Sequence, residues 1–138
     1  MSKKFSVLTF IIAVIACCIA GLNYYELMQM RKDVQFVMYL GTNDKDSNNP
    51  VFNHDEAKIK LDEILAKHFS GFTVTEALGG WTDDNGKISH EYTLVIYLSD
   101  TNIKNVHSAA DDLLREFNQS SVLIQTNNTI TEFYAGEN

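Results

Sequence analysis

The sequence lacks most of the features that announce a chemistry. Cysteine stops at residue 18: Cys17 and Cys18 both sit in an apolar stretch, so the chain beyond them has no disulfide and no thiol nucleophile and must be held by packing. Proline occurs once, at Pro50, which excludes a proline-rich linker. Cations are scarce. Residues 31–138 carry 9 Lys and Arg against 17 Asp and Glu, a formal charge of −8, whereas a phosphate-backbone binder needs clustered positive side chains; no nucleic acid partner is expected. There is no glycine-rich phosphate loop and no G-x-S-x-G, and His54, His68, His90 and His107 contain no pair at metal-ligand spacing. No cofactor, no serine nucleophile and no zinc site is therefore expected. About 108 of the 138 residues follow the N-terminal stretch, enough for one domain and too few for a multidomain enzyme.

Residues 1–30 read as a membrane or export segment. Positions 5–22 are 18 residues without a charge, preceded by Lys3 and Lys4. As a helix they would extend about 27 Å, close to a hydrocarbon core of about 30 Å. Tyr24 and Tyr25 follow, where amphipathic aromatics favour the membrane interface, and this combination favours a retained transmembrane anchor. Two other readings share the pattern. Val14-Ile15-Ala16-Cys17 fits a bacterial lipobox, in which Cys17 would carry lipid, and a signal-peptide cut after Ala20 would release the remainder. All three put residues 31–138 on the outer side of the membrane, in the cell envelope.

Beyond residue 30 the hydrophobic period changes several times. Val34, Phe36, Met38 and Leu40 fall on alternate positions, which predicts a strand over 33–40. Residues 41–50 are turn chemistry and read as a surface loop. Asn53 with Glu56 forms a capping box for a helix whose Ala57, Leu61, Ile64, Leu65 and Phe69 share a face, ended by Ser70-Gly71. A second strand over 72–78 has Phe72, Val74 and Leu78 on one face, with Glu76 interrupting it. Asp83-Asp84-Asn85-Gly86 predicts a hairpin into a third strand over 88–98. Residues 99–102 supply caps for a second helix with Ile103, Val106, Ala110, Leu113, Leu114 and Phe117 as its apolar stripe. Residues 121–125 make a fourth strand, and 129–134 either continue it past a bulge at Asn127-Asn128 or form a fifth.

The order βαββαβ, folded with right-handed crossovers, predicts an α+β, ferredoxin-like sandwich: a four- to five-stranded antiparallel sheet with two helices on one face. If Leu94, Ile96 and Leu98 face the helices, Val95 and Tyr97 point away, joined there by Val37, Tyr39 and Leu123. A one-sided sheet is polar on its free face, and an apolar one marks an interface. The expectation is a homo-oligomer, a dimer or trimer packed sheet to sheet, or a ligand pocket roofed by a partner subunit. The competing arrangement covers this face with the chain's own C-terminal strand or membrane-proximal segment.

Met38-Tyr39-Leu40-Gly41, Phe69-Ser70-Gly71-Phe72-Thr73-Val74, Gly79-Gly80-Trp81, Gly86, Glu91 and Phe117-Asn118-Gln119-Ser120-Ser121-Val122-Leu123 occur in an order and spacing that resembles an uncharacterised family of small exported bacterial proteins, many with lipoprotein-type signals. The resemblance covers residues 36–125 and implies an extracytoplasmic α+β domain of unknown function. One position departs from the pattern: Tyr92-Thr93 follows Glu91 where a small and a basic residue would stand. The layout from Gly80-Trp81 through Glu91 to Ser121-Val122-Leu123 is also similar to phage-type S-adenosylmethionine lyases. That similarity implies acidic residues at a subunit interface, with Glu91 the one position that lays onto such a site.

Glu91 opens the third strand and Glu76 lies within the second. Paired through the hairpin, they would set two carboxylates on neighbouring strands with Trp81 near the bend, an arrangement that drives pKa values apart and divides acid and base roles. The plainer alternative has Glu76 facing solvent and Glu91 finishing a strand end. Trp81, the only tryptophan, follows Gly79-Gly80, where a ligand ring has room to approach. What a large aromatic gains from burial favours a core or interface plug over a stacking surface for Trp81, and Tyr39 and Tyr97 share the same two readings. Asp44-x-Asp46-x-Asn48 with Asp55 imitates a calcium loop, but Asn49 at the sixth position and Pro50 at the seventh argue against it, and no metal site is expected. The expected function is a membrane-tethered, self-associating envelope module binding a peptide, an envelope component or a small ligand. Its rival is a small enzyme or ligand sensor built on Glu91 and Glu76.

Overall fold

The computed structural model describes residues 2–29, 31–82 and 85–136; in the first helix the described side chains are those of 9–25. The elements are α1 (Ser2–Gln29), β1 (Arg31–Gly41), α2 (His54–His68), β2 (Thr73–Thr82), β3 (Ile88–Leu98), α3 (Ile103–Glu116) and β4 (Leu123–Thr131). The strands form one four-stranded sheet in the order β2-β3-β1-β4, and β3 pairs antiparallel with both β1 and β2. With a helix after β1 and another after β3, this is the ferredoxin-like α+β arrangement.

The structure decides one alternative that the sequence leaves open and corrects one strand boundary. No fifth strand forms among the described residues: β4 runs through Asn127 and Asn128 to Thr131, at the edge of the sheet where poor strand formers are tolerated. β2 continues past residue 78 through both glycines, so Trp81 lies within the strand, opposite Ser89.

The chain divides into two compact units, Met1–Lys32 with Ile130–Asn138, and Asp33–Thr129. In α1 the described apolar side chains, Phe10, Ile12, Ile15, Ile19 and Leu22 among them, are exposed, as are Cys17 and Cys18. Among the described residues no helix is long and apolar enough to cross a membrane. The expected span over 5–22 begins with four residues whose side chains lie outside the described set.

In the second unit, local chemistry sets where the helices start. Asn53 Oδ1 accepts the Glu56 N–H at 2.9 Å while the Glu56 carboxylate accepts the Asn53 N–H at 3.3 Å, satisfying two donors that the first turn of α2 leaves free. Asn102 Oδ1 does the same for α3, accepting from Lys104 and Asn105. Helical spacing then lines up Ala57, Leu61, Ile64 and Leu65 on α2 and Val106, Ala109, Ala110 and Leu113 on α3. Both stripes, with Phe117, pack on Phe36, Met38 and Leu40 of β1 and Leu94, Ile96 and Leu98 of β3. Burying a side chain such as Leu113 is worth about 1.5–3 kcal/mol over leaving it exposed. His68 Nε2 meets Asp112 Oδ2 at 2.8 Å, joining the end of α2 to α3, and His68 with Arg115 holds the Asp112 carboxyl below its usual range.

The opposite face of the sheet is less open than alternation alone implies. Val37 and Val95 are 4% and 5% exposed, whereas Tyr97 is 38% and Leu123 58% exposed. Each valine stands opposite a tyrosine, Val37 across from Tyr97 and Val95 across from Tyr39, and a short branched side chain between larger cross-strand neighbours loses most of its surface. The apolar area left to a partner is carried by Tyr97, Leu123 and, in β2, Trp81, with Tyr39 half-buried.

Candidate functional site

At one end of the sheet, on the face away from α2 and α3, a cleft of about 480 Å³ draws on all four strands. Tyr39 and Gly41 come from β1, Trp81 from β2, Glu91 from β3 and Leu123 from β4, while the loop after β1 and the segment before β4 close its sides. The strand period of two explains the grouping: Trp81 lies two residues beyond Gly79, the partner of Glu91, and Tyr39 lies two residues before Gly41.

Glu91 has a glycine on each neighbouring strand. A Cβ added at Gly41 would stand 2.5 Å from both carboxylate oxygens; one added at Gly79 would run into the Thr93 hydroxyl and come 3.5 Å from Glu91 Cγ. Side chains do not approach so closely, so glycine at position 41 makes the space in which the Glu91 carboxylate lies, and glycine at position 79 makes room for the Thr93 hydroxyl. Its Oε2 accepts the Asn43 N–H at 3.2 Å, and among the described residues no Lys or Arg pairs with it. Trp81 is 48% exposed beside it, and the Tyr39 hydroxyl donates to Gln125 Oε1 at 3.2 Å.

The loop after β1 is folded rather than slack. Asp44 Oδ1 accepts the N–H groups of Asp46 and Ser47 at 2.9 and 2.7 Å, and Asn48 N–H donates to the Asp44 carbonyl at 2.8 Å. Asp44 Oδ2 accepts from Asn118 Nδ2 at 2.6 Å. Lys45 Nζ donates to Asn118 Oδ1 at 2.7 Å and lies 3.1 Å from Asp46, and Gln119 Nε2 donates to the Asn43 carbonyl. Asn118 sits at φ 45°, a left-handed conformation that asparagine tolerates just past a helix end. Its amide, followed by the loop's own N–H groups, lowers the Asp44 carboxyl to about 2. The resemblance to a calcium loop ends here: the Asp44 oxygens serve their own turn, and Asp55 stands in α2, 3.2 Å from Lys58.

Of the residues singled out from the sequence, Tyr39, Trp81 and Glu91 meet in this one cleft. Tyr97 shares the face but not the cleft, lying opposite Val37 and Thr73 toward the other end of the sheet. Cys17 belongs to α1, in the other unit. Glu76 is a correction. It pairs in register with Leu94 while Gly79 pairs with Glu91, an odd offset along β3, so the two carboxylates emerge on opposite faces and cannot share one site within a chain.

Glu76 instead borders a shallower groove of about 430 Å³ with Leu78, His54 and Tyr92. The His54 and Tyr92 rings stack with centroids 3.8 Å apart and planes 11° from parallel, and Lys58 Nζ lies 3.2 Å from Glu76 Oε1. The Tyr92 hydroxyl is buried and, among the described residues, has no partner at direct hydrogen-bonding distance, yet it lies near enough, with Lys58 next in effect, to hold the Glu76 carboxyl below its usual range. Burial pushes the Tyr92 hydroxyl the other way.

Sequence reasoning weighed Asp44 only against a calcium loop and did not bring together the polar wall of the cleft, Asn43, Asp44, Lys45, Gln119 and Ser120. The hydrogen bonds that assemble it join residues 72 to 76 apart in the chain, a separation no local pattern reports.

Residues 35–133 match the model of a family described as "Protein of unknown function (DUF3574)". No curated protein matches the chain. Among solved structures, the chain is similar to a phage SAM lyase in complex with S-methyl-5'-thioadenosine at 16% identity, covering 74% of this chain and 92% of that one, with a TM-score of 0.51. It is also similar to CutA from Synechococcus elongatus at 11% identity, covering 72% and 78%, with a TM-score of 0.47. At such identities the likeness is one of fold, and a shared fold does not carry an activity with it.

Proposed function

The chain belongs to the DUF3574 family, whose function is unknown, and from that premise we propose that Asp33–Thr129 is a ligand-binding module, held outside a membrane by the N-terminal segment and self-associating through the open sheet face. The observation that carries this reading is the cleft at the sheet end, where two aromatic rings and a carboxylate given its room by Gly41 converge on a four-stranded scaffold. Binding is favoured over acid–base catalysis because, among the described residues, neither carboxylate considered with Glu91 is free to work with it: Glu76 is on the other face and Asp44 is committed to its turn. The lyase-like alternative thereby loses one of its two groups. Self-association rests on the exposed Tyr97 and Leu123, and the tether on the uncharged run 5–22 between Lys3-Lys4 and Tyr24-Tyr25.

Native mass spectrometry of the full chain extracted from membranes tests the whole reading. The expected result is a dimer or trimer recovered from the membrane fraction with a small adduct that Glu91→Gln loses. A monomer recovered from the soluble fraction, with no adduct in either protein, would contradict it.

A further inference from the structure

Resting on the binding reading above, we infer that the cleft takes a planar organic cation, an amidinium or guanidinium group carried beside a flat apolar body. Three observations converge on this chemistry. Glu91 accepts a single backbone N–H through Oε2, and no other hydrogen bond or ion pair reaches its carboxylate among the described residues. Among the described residues the lining holds Glu91 and Asp44 against one cation, Lys45, which is already engaged by Asp46 and the Asn118 side-chain oxygen. The cleft is therefore short of positive charge, and a half-buried carboxylate with one neutral donor gains most from a charged one.

The second observation is shape. Gly41 lets the carboxylate lie over β1, where any larger residue would push it aside. A carboxylate presented in this way accepts two parallel N–H groups from an amidinium or guanidinium, a match that a compact ammonium does not make. The third is the aromatic pair. Trp81, 48% exposed, and Tyr39 supply ring faces that attract a cation and stack on a flat body. An anion would instead meet Glu91 and Asp44, and a neutral ring would leave Glu91 without a counter-charge.

The only tryptophan is in the cleft, so Trp81 emission in the full chain reports on this site alone. Benzamidine, benzamide and benzoate are near-isosteric probes that differ in charge. Benzamidine should give a saturable change that benzamide and benzoate do not give in the same range. Glu91→Gln, which keeps an acceptor for Asn43 N–H, should weaken benzamidine binding about tenfold, as expected for loss of a charge-assisted pair. Lys45→Ala should tighten it about twofold by removing a like charge from the rim, and this variant carries the test if Glu91→Gln melts abnormally.

Equal binding of benzoate or benzamide, unaffected by Glu91→Gln, overturns the cation assignment and leaves the cleft as a site for another class of ligand. No saturable response to any of the three in a normally melting protein overturns the reading of the cleft as a binding site. Methylguanidine against acetyl-Gly-Arg-Gly-amide separates the two sources of such a group: tighter binding of the peptide places the cation on a peptide side chain, and equal binding places it on a free small molecule.

Discussion

Glu76 and Glu91 lie on paired strands of one sheet, and their surroundings differ in every respect that decides what a carboxylate does. Glu76 faces the helix side, where Lys58 stands 3.2 Å away and the Tyr92 hydroxyl helps keep it ionised. Its charge is answered from within the fold. Glu91 faces the other side, takes one backbone N–H, has no cation partner among the described residues and is given its room by Gly41. Residue type and sequence spacing made these two look like a pair. The strand period of two separates them, and the partners each one finds assign one to structure and leave the other to a ligand.

The comparison breaks or sharpens at particular positions, beginning with the largest effect. Gly79→Ala puts a methyl group onto the Thr93 hydroxyl, and a β-branched side chain in a strand has little rotamer freedom to retreat. Urea unfolding should show a loss of about 1–3 kcal/mol. Gly71→Ala, with nothing within 4 Å of the added Cβ, is the control and should stay within about 0.5 kcal/mol of the parent.

Gly41→Ala differs in kind, because the added methyl meets the far end of a flexible side chain. It should displace the Glu91 carboxylate at a smaller cost in stability than Gly79→Ala, while weakening benzamidine binding as much as Glu91→Gln does. Titration of Trp81 emission measures it. Unaltered binding would mean that the carboxylate does not act from over β1.

The polar wall has its own pH signature. The Asp44 carboxyl is lowered from 3.8 to about 2, so its contribution to stability is fully present above the unfolded value and is lost as pH falls from about 4 toward 2. Asn118→Gly keeps a residue suited to φ 45° but removes the amide, the largest cause of that lowering. Carboxyl carbon NMR should then show Asp44 titrating nearer 3.8. The smallest effect is expected at Glu76→Gln, which should leave benzamidine binding unchanged and the melting temperature close to the parent's, since an exposed ion pair with Lys58 contributes little.

Much of the fold was legible in the sequence because the relevant interactions are local. The capping box at Asn53 and Glu56, the helical stripe from Ala57 to Leu65 and the alternation in β1 all follow from spacing over a few residues. The aromatic and acidic half of the cleft was legible as residue types, Tyr39, Trp81 and Glu91, but their convergence needed the register. The polar half was not legible, since Asn118 and Gln119 reach back across more than seventy residues to order the loop after β1. The exposed area of the open face was overestimated because alternation says which way Val37 and Val95 point and nothing about the tyrosines set opposite them.

Amide chemical-shift mapping of the full chain during a benzamidine titration tests the division between the two faces most directly. The predicted result is a saturable set of shifts confined to Gly41, Asn43, Gly79, Glu91 and the Trp81 indole. Shifts centred on His54, Glu76 and Tyr92, or scattered without saturation, would contradict it.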